Sequence, residues 1–257
     1  MQLVQDALGL LSGSFVGFSL GLVGGGGSIL AVPLMIYLVG VPSAHVAIGT
    51  SAFAVAVNAA ANLLSHARTG TVKWSCAGLF AIAGVAGAFA GSSLSKIVDG
   101  RRLLALFAVL MVVVAGVMFA RRASAGDADV RLDGRNSPRL ILSGLGTGAL
   151  SGFFGIGGGF LIVPCLMFAT GMPILNAIGS SLVGVTAFGA TAALNYAASG
   201  LVDWRLAATF IVGGVMGGLA GGRLAGALGS RRGVLNAIFA ALILVVAIYM
   251  LARSMTS

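Results

Sequence analysis

The stretch from Gly13 to Pro33, GSFVGFSLGLVGGGGSILAVP, returns from Gly144 to Pro164 as GLGTGALSGFFGIGGGFLIVP. Gly13, Gly17, Gly21, Gly24, Gly26, Gly27, Leu30 and Pro33 recur at a constant offset of 131 as Gly144, Gly148, Gly152, Gly155, Gly157, Gly158, Leu161 and Pro164. The reading is of a chain made of two copies of one unit. In each copy, glycines four residues apart leave one bare helical face on which another helix can pack closely. A glycine cluster follows, which is a poor helix former and an expected break. The chain is then expected to restart as a short helix whose first N–H groups have no intrahelical partner. Donors of that kind suit an anion. Breaks at matching positions in two halves point to the substrate site of a secondary transporter. The plainer reading is that the glycines serve close packing alone. Packing does not explain why both copies follow the cluster with a Pro-bearing apolar run.

Composition fixes the setting. The chain has 257 residues, 58% hydrophobic and only 8% charged, with a mean hydropathy of +1.08. That leaves too few polar residues to cover a soluble globule. It reads as an all-α polytopic membrane protein surrounded by lipid. Residues 7–67 and 140–202 contain no Asp, Glu, Lys or Arg, and each run is long enough for about two spans. The first positive charge is Arg68, so a signal peptide is not expected. The net charge of +9 gathers in short stretches between apolar segments, the distribution of topology signals and not of a nucleic-acid partner. Cys76 and Cys165 lie in apolar surroundings and read as packing. No metal motif and no cofactor motif occurs, and no Ser–His–Asp set, Cys–His pair or GxxxxGK[ST] supports an enzyme.

The segments repeat in order. Residues 8–39 form a first element broken around Gly24–Gly27, followed by spans from Ala44 to about Leu64, Trp74 to Ser95, and Leu103 to Ala120. Residues 121–139, RRASAGDADVRLDGRNSPR, read as a cytoplasmic linker. The second copy gives Leu140–Ala169, Leu175–Tyr196, Leu206–Leu228 and Val234–Leu251, eight segments in all. The domains are thus 1–120, the linker 121–139, and 140–257. The glycine faces of the two third spans, with Gly87 and Gly91 or Gly217 and Gly221, are expected to pack on a neighbouring helix. Orientation stays open. With the linker inside, parallel halves place nine basic residues inside and six outside, and inverted halves ten and five.

The expected interior is neutral and rich in donors. No Asp or Glu falls at mid-span and the chain has no Glu, which disfavours a carboxylate proton relay or a pathway for a dicationic metal. Ser28, Thr50, Ser51, Asn58 and Asn62 in the first half, and Ser180, Ser181, Thr186, Thr191 and Asn195 in the second, fall inside spans. The bland account is helix-to-helix hydrogen bonding. The functional account joins them to the helix starts at Gly25, Gly26, Gly27 and at Gly157, Gly158, Gly159, as a lining of hydroxyls and amides for a compact oxyanion. His45, His66 and Arg68 read either as helix-end and topology residues or as an electropositive vestibule.

The pattern SGxxxGxxxGxxGGGGxxLxxP at Ser12–Pro33, AIGTS at Ala47–Ser51, RTGTVKW at Arg68–Trp74, AIGSS at Ala177–Ser181 and SGLVDW at Ser199–Trp204 resembles the sulfite exporter TauE/SafE family over almost the whole chain. The resemblance implies a multi-pass permease of the bacterial inner membrane that moves sulfite, sulfonates or other small organic anions. It places functional weight on Gly24–Gly27, Gly155–Gly159, AIGTS and AIGSS. Ile156 interrupts the second glycine run, and Asn195 with Tyr196 replaces Ser65 with His66, so unequal halves are expected. The expectation is a secondary transporter exporting sulfite or an organosulfonate, with the coupling proton or ion and any homo-oligomer left open. The alternatives are a carrier of another small anion, such as a carboxylate, and a non-transporting scaffold.

Overall fold

A computed structural model describes residues 2–120, 132–134, 136–227 and 244–248. The described part is all-helical, with five helices long and apolar enough to cross a membrane. The expected fourth span of the second half and most of the linker lie outside the described residues, apart from 244–248 and the linker's end.

Helix α1 (Gln2–Val23) passes into a tight 3-10 stretch, Gly24–Leu30, a single α turn α2 (Ala31–Pro33) and a wide π turn, Leu34–Leu38. This stretch doubles back along α1. Gly27 lies so close to Ser19 and Leu20 that a Cβ there would be 2.4 Å from the Leu20 nitrogen. By Val39–Ser43 the chain has returned to the level of Gln5 and Asp6, with which it lines one cavity. Helices α3 (Ala44–Arg68), α4 (Trp74–Ser95) and α5 (Gly100–Ala120) follow. Ser43 caps α3, its Oγ accepting from Val46 N–H at 3.4 Å.

Helix α6 (Ser137–Phe154) starts with proline in its first turn and stops at Gly155, which is left-handed with φ 64°. Gly157 and Gly158 are left-handed too, and α7 (Gly159–Thr170) starts from Gly158. A residue with a Cβ would be strained at each of these three positions. The turn brings Gly158 back against Ser151 and Thr147 of α6. Helices α8 (Ile174–Ala197) and α9 (Trp204–Ala227) complete the described fold.

Two helix pairs make the most extensive contacts, and glycine makes both possible. In α1 and α9, Gly13, Gly17 and Gly21 face Phe210, Gly214 and Gly218; in α6 and α4, Gly144, Gly148 and Gly152 face Phe80, Gly84 and Ala88. A Cβ at Gly17 would sit 1.9 Å from the Gly214 carbonyl oxygen, and one at Gly148 2.1 Å from that of Gly84. The backbones therefore touch directly, which is how helices associate where water supplies no hydrophobic drive. Gly87 and Gly91 meet α6, and Gly217 and Gly221 meet α1, so the expected glycine faces of α4 and α9 are packed against neighbours.

The contacts also fix directions. Residue numbers rise together across α1/α9, α6/α4, α3/α9 (Asn58 on Gly214, Asn62 on Gly218) and α4/α8 (Gly84 on Phe188, Ser92 on Asn195). They run opposite ways across α3/α8, where Gly49 meets Tyr196, Gly189 meets Ala52 and Ala56, and Gly179 meets Thr71. Helices α1, α3 and α9 point one way, and α4, α6 and α8 the other. Exposed apolar side chains such as Ile82, Phe89, Leu142, Leu194, Met216 and Leu219 form an outer surface suited to lipid.

Candidate functional site around the second glycine turn

The antiparallel pair α3/α8 forms the centre, and the glycine turn 155–158 is seated on it. At 100° per residue, Ile48, Ser51, Val55, Asn58 and Asn62 share a stripe of α3 about 80° wide. Ile48 packs on Gly155. Ser51 Oγ donates to the carbonyls of Ile48 at 2.9 Å and Gly155 at 3.2 Å, tying the turn to α3. Gly157 lies between Val55 and Val185, where a Cβ would be 3.0 Å from one and 2.8 Å from the other. Ile29, Ile156, Val55 and Val185 are fully buried, so this junction is lined with aliphatic side chains as well as polar ones. The stretch Gly24–Leu30 also packs against α7.

Further along the same stripe, Asn58 is 0% exposed, and neither its amide nitrogen nor its amide oxygen has a hydrogen-bond partner. The amide lies on Gly214 of α9, where a Cβ would stand 1.9 Å from Nδ2. Burying such a group unpaired costs about 1–3 kcal/mol, and a native protein that keeps one has a use for it or a missing partner. Asn62, one turn on, donates from Nδ2 to the Asn58 carbonyl at 2.9 Å and lies beside Gly218.

The other expected site residues divide between structural bonds and burial. Thr50 Oγ1 accepts from Asp203 N–H, and Ser180 Oγ accepts from Lys73 N–H, both at 2.9 Å. Each hydroxyl thus holds the loop that precedes α9 or α4. Ser181 Oγ donates to Ile178 O at 2.7 Å. Thr186 and Thr191 donate to carbonyls four residues back. Ser28 is fully buried. Gly25, Gly26 and Gly27 fall in the 3-10 stretch, and Gly159 opens α7.

Asn195 lies in a separate cluster and is satisfied there. Its Nδ2 donates to Ser92 Oγ at 2.7 Å and Ser93 Oγ at 2.9 Å, and its Oδ1 accepts from Lys96 Nζ at 2.8 Å. Lys96 donates also to Asn195 O and Ser199 Oγ. This bracket joins the C-terminal ends of α4 and α8. His45 Nε2 lies 3.2 Å from the carbonyls of Ser95 and Val98, at the same end of α4. His66 bonds Thr71 within its own turn. On the face that holds His45, a cavity of about 330 Å³ lies between Gln5, Asp6, Ser43, Asp203 and Arg205, with Asp203 held to Thr50 beside it.

The family model described as sulfite exporter TauE/SafE matches residues 9–250. The chain belongs to this family. A "probable membrane transporter protein" of Xylella fastidiosa strain 9a5c is 53% identical over 251 residues, covering 96% of this chain and 95% of that protein. A protein of the same description from Methanocaldococcus jannaschii is 31% identical over 181 residues, covering 66% of this chain and 65% of its own. Bacillus subtilis YdhB, also so described, is 25% identical over 204 residues, covering 77% and 81%. No solved structure matches. This TauE/SafE chain is an integral membrane transporter, with a small-molecule substrate and a bilayer around it.

Two polar groups stand out that the sequence had not marked. Ser12 and Ser151 are each 1% exposed with no partner for the hydroxyl. A signal for Ser151 was present, because the first copy carries Leu20 at the equivalent place.

Proposed function

We propose that this TauE/SafE chain is a permease that exports a small sulfur oxyanion, sulfite or a short organosulfonate, from the cytoplasm across the bacterial inner membrane. Its site is where the second glycine turn meets α3. The observation that carries the reading is the Asn58 amide, buried and unpartnered on the stripe of α3 that seats the second turn. A carboxamide offers two N–H donors without charge. It can hold an oxyanion and still release it, as conduction requires.

The halves are read as two units inverted in the membrane. Applying the offset to the pair α1/α9 gives the pair α6/α4, so each first helix packs on the third span of the other unit. Thr50 with Asp203 becomes Ser180 with Lys73. The antiparallel pair α3/α8 maps onto itself, which suits an axis lying in the membrane plane. The linker, with five arginines against three aspartates in its sequence, is taken as cytoplasmic. The cavity beside Asp203 then opens outward. The exchange is imperfect at the site, since Phe188 packs on Gly84 where Asn58 packs on Gly214. Substrate is held by one half more than the other.

The test is uptake by proteoliposomes of Asn58→Leu and Asn58→Gln proteins at equal reconstituted amount. Asn58→Leu lowers sulfite or sulfonate flux about tenfold or more, equivalent to about 1.4 kcal/mol, and Asn58→Gln retains part of it. Unchanged flux in Asn58→Leu overturns the assignment of the site.

A further inference from the structure

Ser151 departs from a rule that its neighbours follow. In apolar surroundings a serine or threonine on a helix normally gives its proton to a carbonyl three or four residues back. Along α6, Ser143 donates to Arg139 O and Thr147 donates to Ser143 O at 2.6 Å; Thr170, Thr186 and Thr191 do the same on α7 and α8. Ser151 is buried in the same helix, and its hydroxyl has no partner. Its Oγ instead lies beside Gly158, 3.1 Å from where a Cβ of that residue would be.

Gly158 is the residue from which α7 starts. Its carbonyl takes the N–H groups of Leu161 at 2.9 Å and Ile162 at 3.0 Å. The N–H groups of Gly159 and Phe160 have no acceptor within the helix. A helix of 12 residues adds the positive end of its dipole, roughly half an elementary charge. The left-handed Gly158, φ 68°, folds that end back onto α6, so that the idle hydroxyl and the helix head share one buried place. A hydroxyl and free N–H groups beside a helix head are complementary to the oxygen of an anion.

We propose that Ser151 and the N-terminus of α7 form an anion-binding half-site, one that takes an oxygen of a small oxyanion such as a sulfite or a sulfonate. This rests on the reading of the chain as a small-anion permease. The first copy differs at this place: Leu20 replaces the serine, and Gly27 lies against the Leu20 nitrogen and against Ser19, whose hydroxyl is not among the atoms nearest to it. Recognition there is by neutral donors, so one tetrahedral or pyramidal oxyanion exchanges for another, and a cation gains nothing.

The test uses purified full-length protein, with sulfite and methanesulfonate as probes, and the variants Ser151→Ala and Ser151→Thr. Calorimetry gives the dissociation constant, proteoliposome flux the Michaelis constant, and thermal melting the stability without ligand. Ser151→Ala raises the dissociation and Michaelis constants for the bound probe about tenfold, the loss of one hydrogen bond to an ion, while Ser151→Thr stays within about twofold. Without ligand, Ser151→Ala melts no lower than wild type, because an unpaired buried hydroxyl has been removed. The half-site is overturned if Ser151→Ala binds and transports as wild type does, or if it melts lower without ligand, which would make the hydroxyl a structural bond. Wild-type protein that binds sulfite through Ser151 yet carries no anion across the membrane would overturn the permease reading and leave the half-site standing.

Discussion

Replacing Gly148 by alanine tests whether contact between glycine faces holds this fold. The added Cβ would stand 2.1 Å from the Gly84 carbonyl oxygen and 2.7 Å from the Gly84 Cα, both parts of a rigid helix backbone. To clear it, α6 and α4 must separate by about 1 Å, and a gap of that size forfeits about a quarter to a half of each dispersion contact along the seam. Overpacking of this kind costs about 1–3 kcal/mol, offset by the roughly 0.5–1 kcal/mol that alanine gains over glycine in a helix. Gly146 is the control, since it lies two residues away on the same helix and a Cβ there meets nothing within 4 Å. Gly146→Ala receives only the helix gain, so the two variants should differ by about 1–3 kcal/mol. The assay is the melting midpoint of purified protein in detergent, with the folded amount in the membrane measured in parallel. Gly148→Ala melts below wild type and Gly146→Ala at or above it. Equal midpoints, or the reverse order, would refute the close-packing argument.

Further outcomes follow from individual contacts. Thr50→Val and Ser180→Ala each strip the acceptor from a loop N–H, at Asp203 and Lys73 respectively, and should lower stability by about 1 kcal/mol or more, with Thr50→Ser close to wild type in the same melting assay. Asn195→Leu removes an acceptor of Lys96 and a donor to Ser92 and Ser93, so it should cost more stability than Asn62→Leu, which loses one bond to the Asn58 carbonyl; equal losses would contradict the bracket. With Cys76 and Cys165 replaced, single cysteines at Ser43 and Ser199 should react with an impermeant thiol reagent from one side of the membrane and a cysteine at Thr69 from the other. Labelling of the Thr69 and Ser199 positions from the same side would sink the inverted arrangement.

Much of the helical layout was legible because its determinants are local. Glycine spacing, Pro42 and Pro173 in turns, and charge-free runs mark where helices lie and where they can touch. The partner of each glycine face was not legible. The faces of α1, α4, α6 and α9 are alike in composition, and nothing local records that α1 meets α9 while α6 meets α4. Direction was equally hidden, since basic residues divided ten to five or nine to six leave the halves free to run either way. At the site, the sequence could name the three asparagines but not distinguish them. Asn195 is satisfied by Ser92, Ser93 and Lys96, about a hundred residues away, and Asn58 is left bare by the approach of Gly214 from the other half. Thr50 and Ser180 accept from the N–H groups of Asp203 and Lys73, contacts with distant loops that no local pattern records. Ser151 was not marked by the sequence pattern, since a serine in such a helix ordinarily bonds its own backbone.

The most direct test of the account is flux through the wild-type protein in proteoliposomes, loaded in turn with sulfite, methanesulfonate, acetate and an inorganic cation, against protein-free liposomes. The account predicts saturable flux of sulfite or the sulfonate, weaker flux of acetate and none of the cation. Flux of the cation alone, or no anion flux above that of protein-free liposomes, would contradict it.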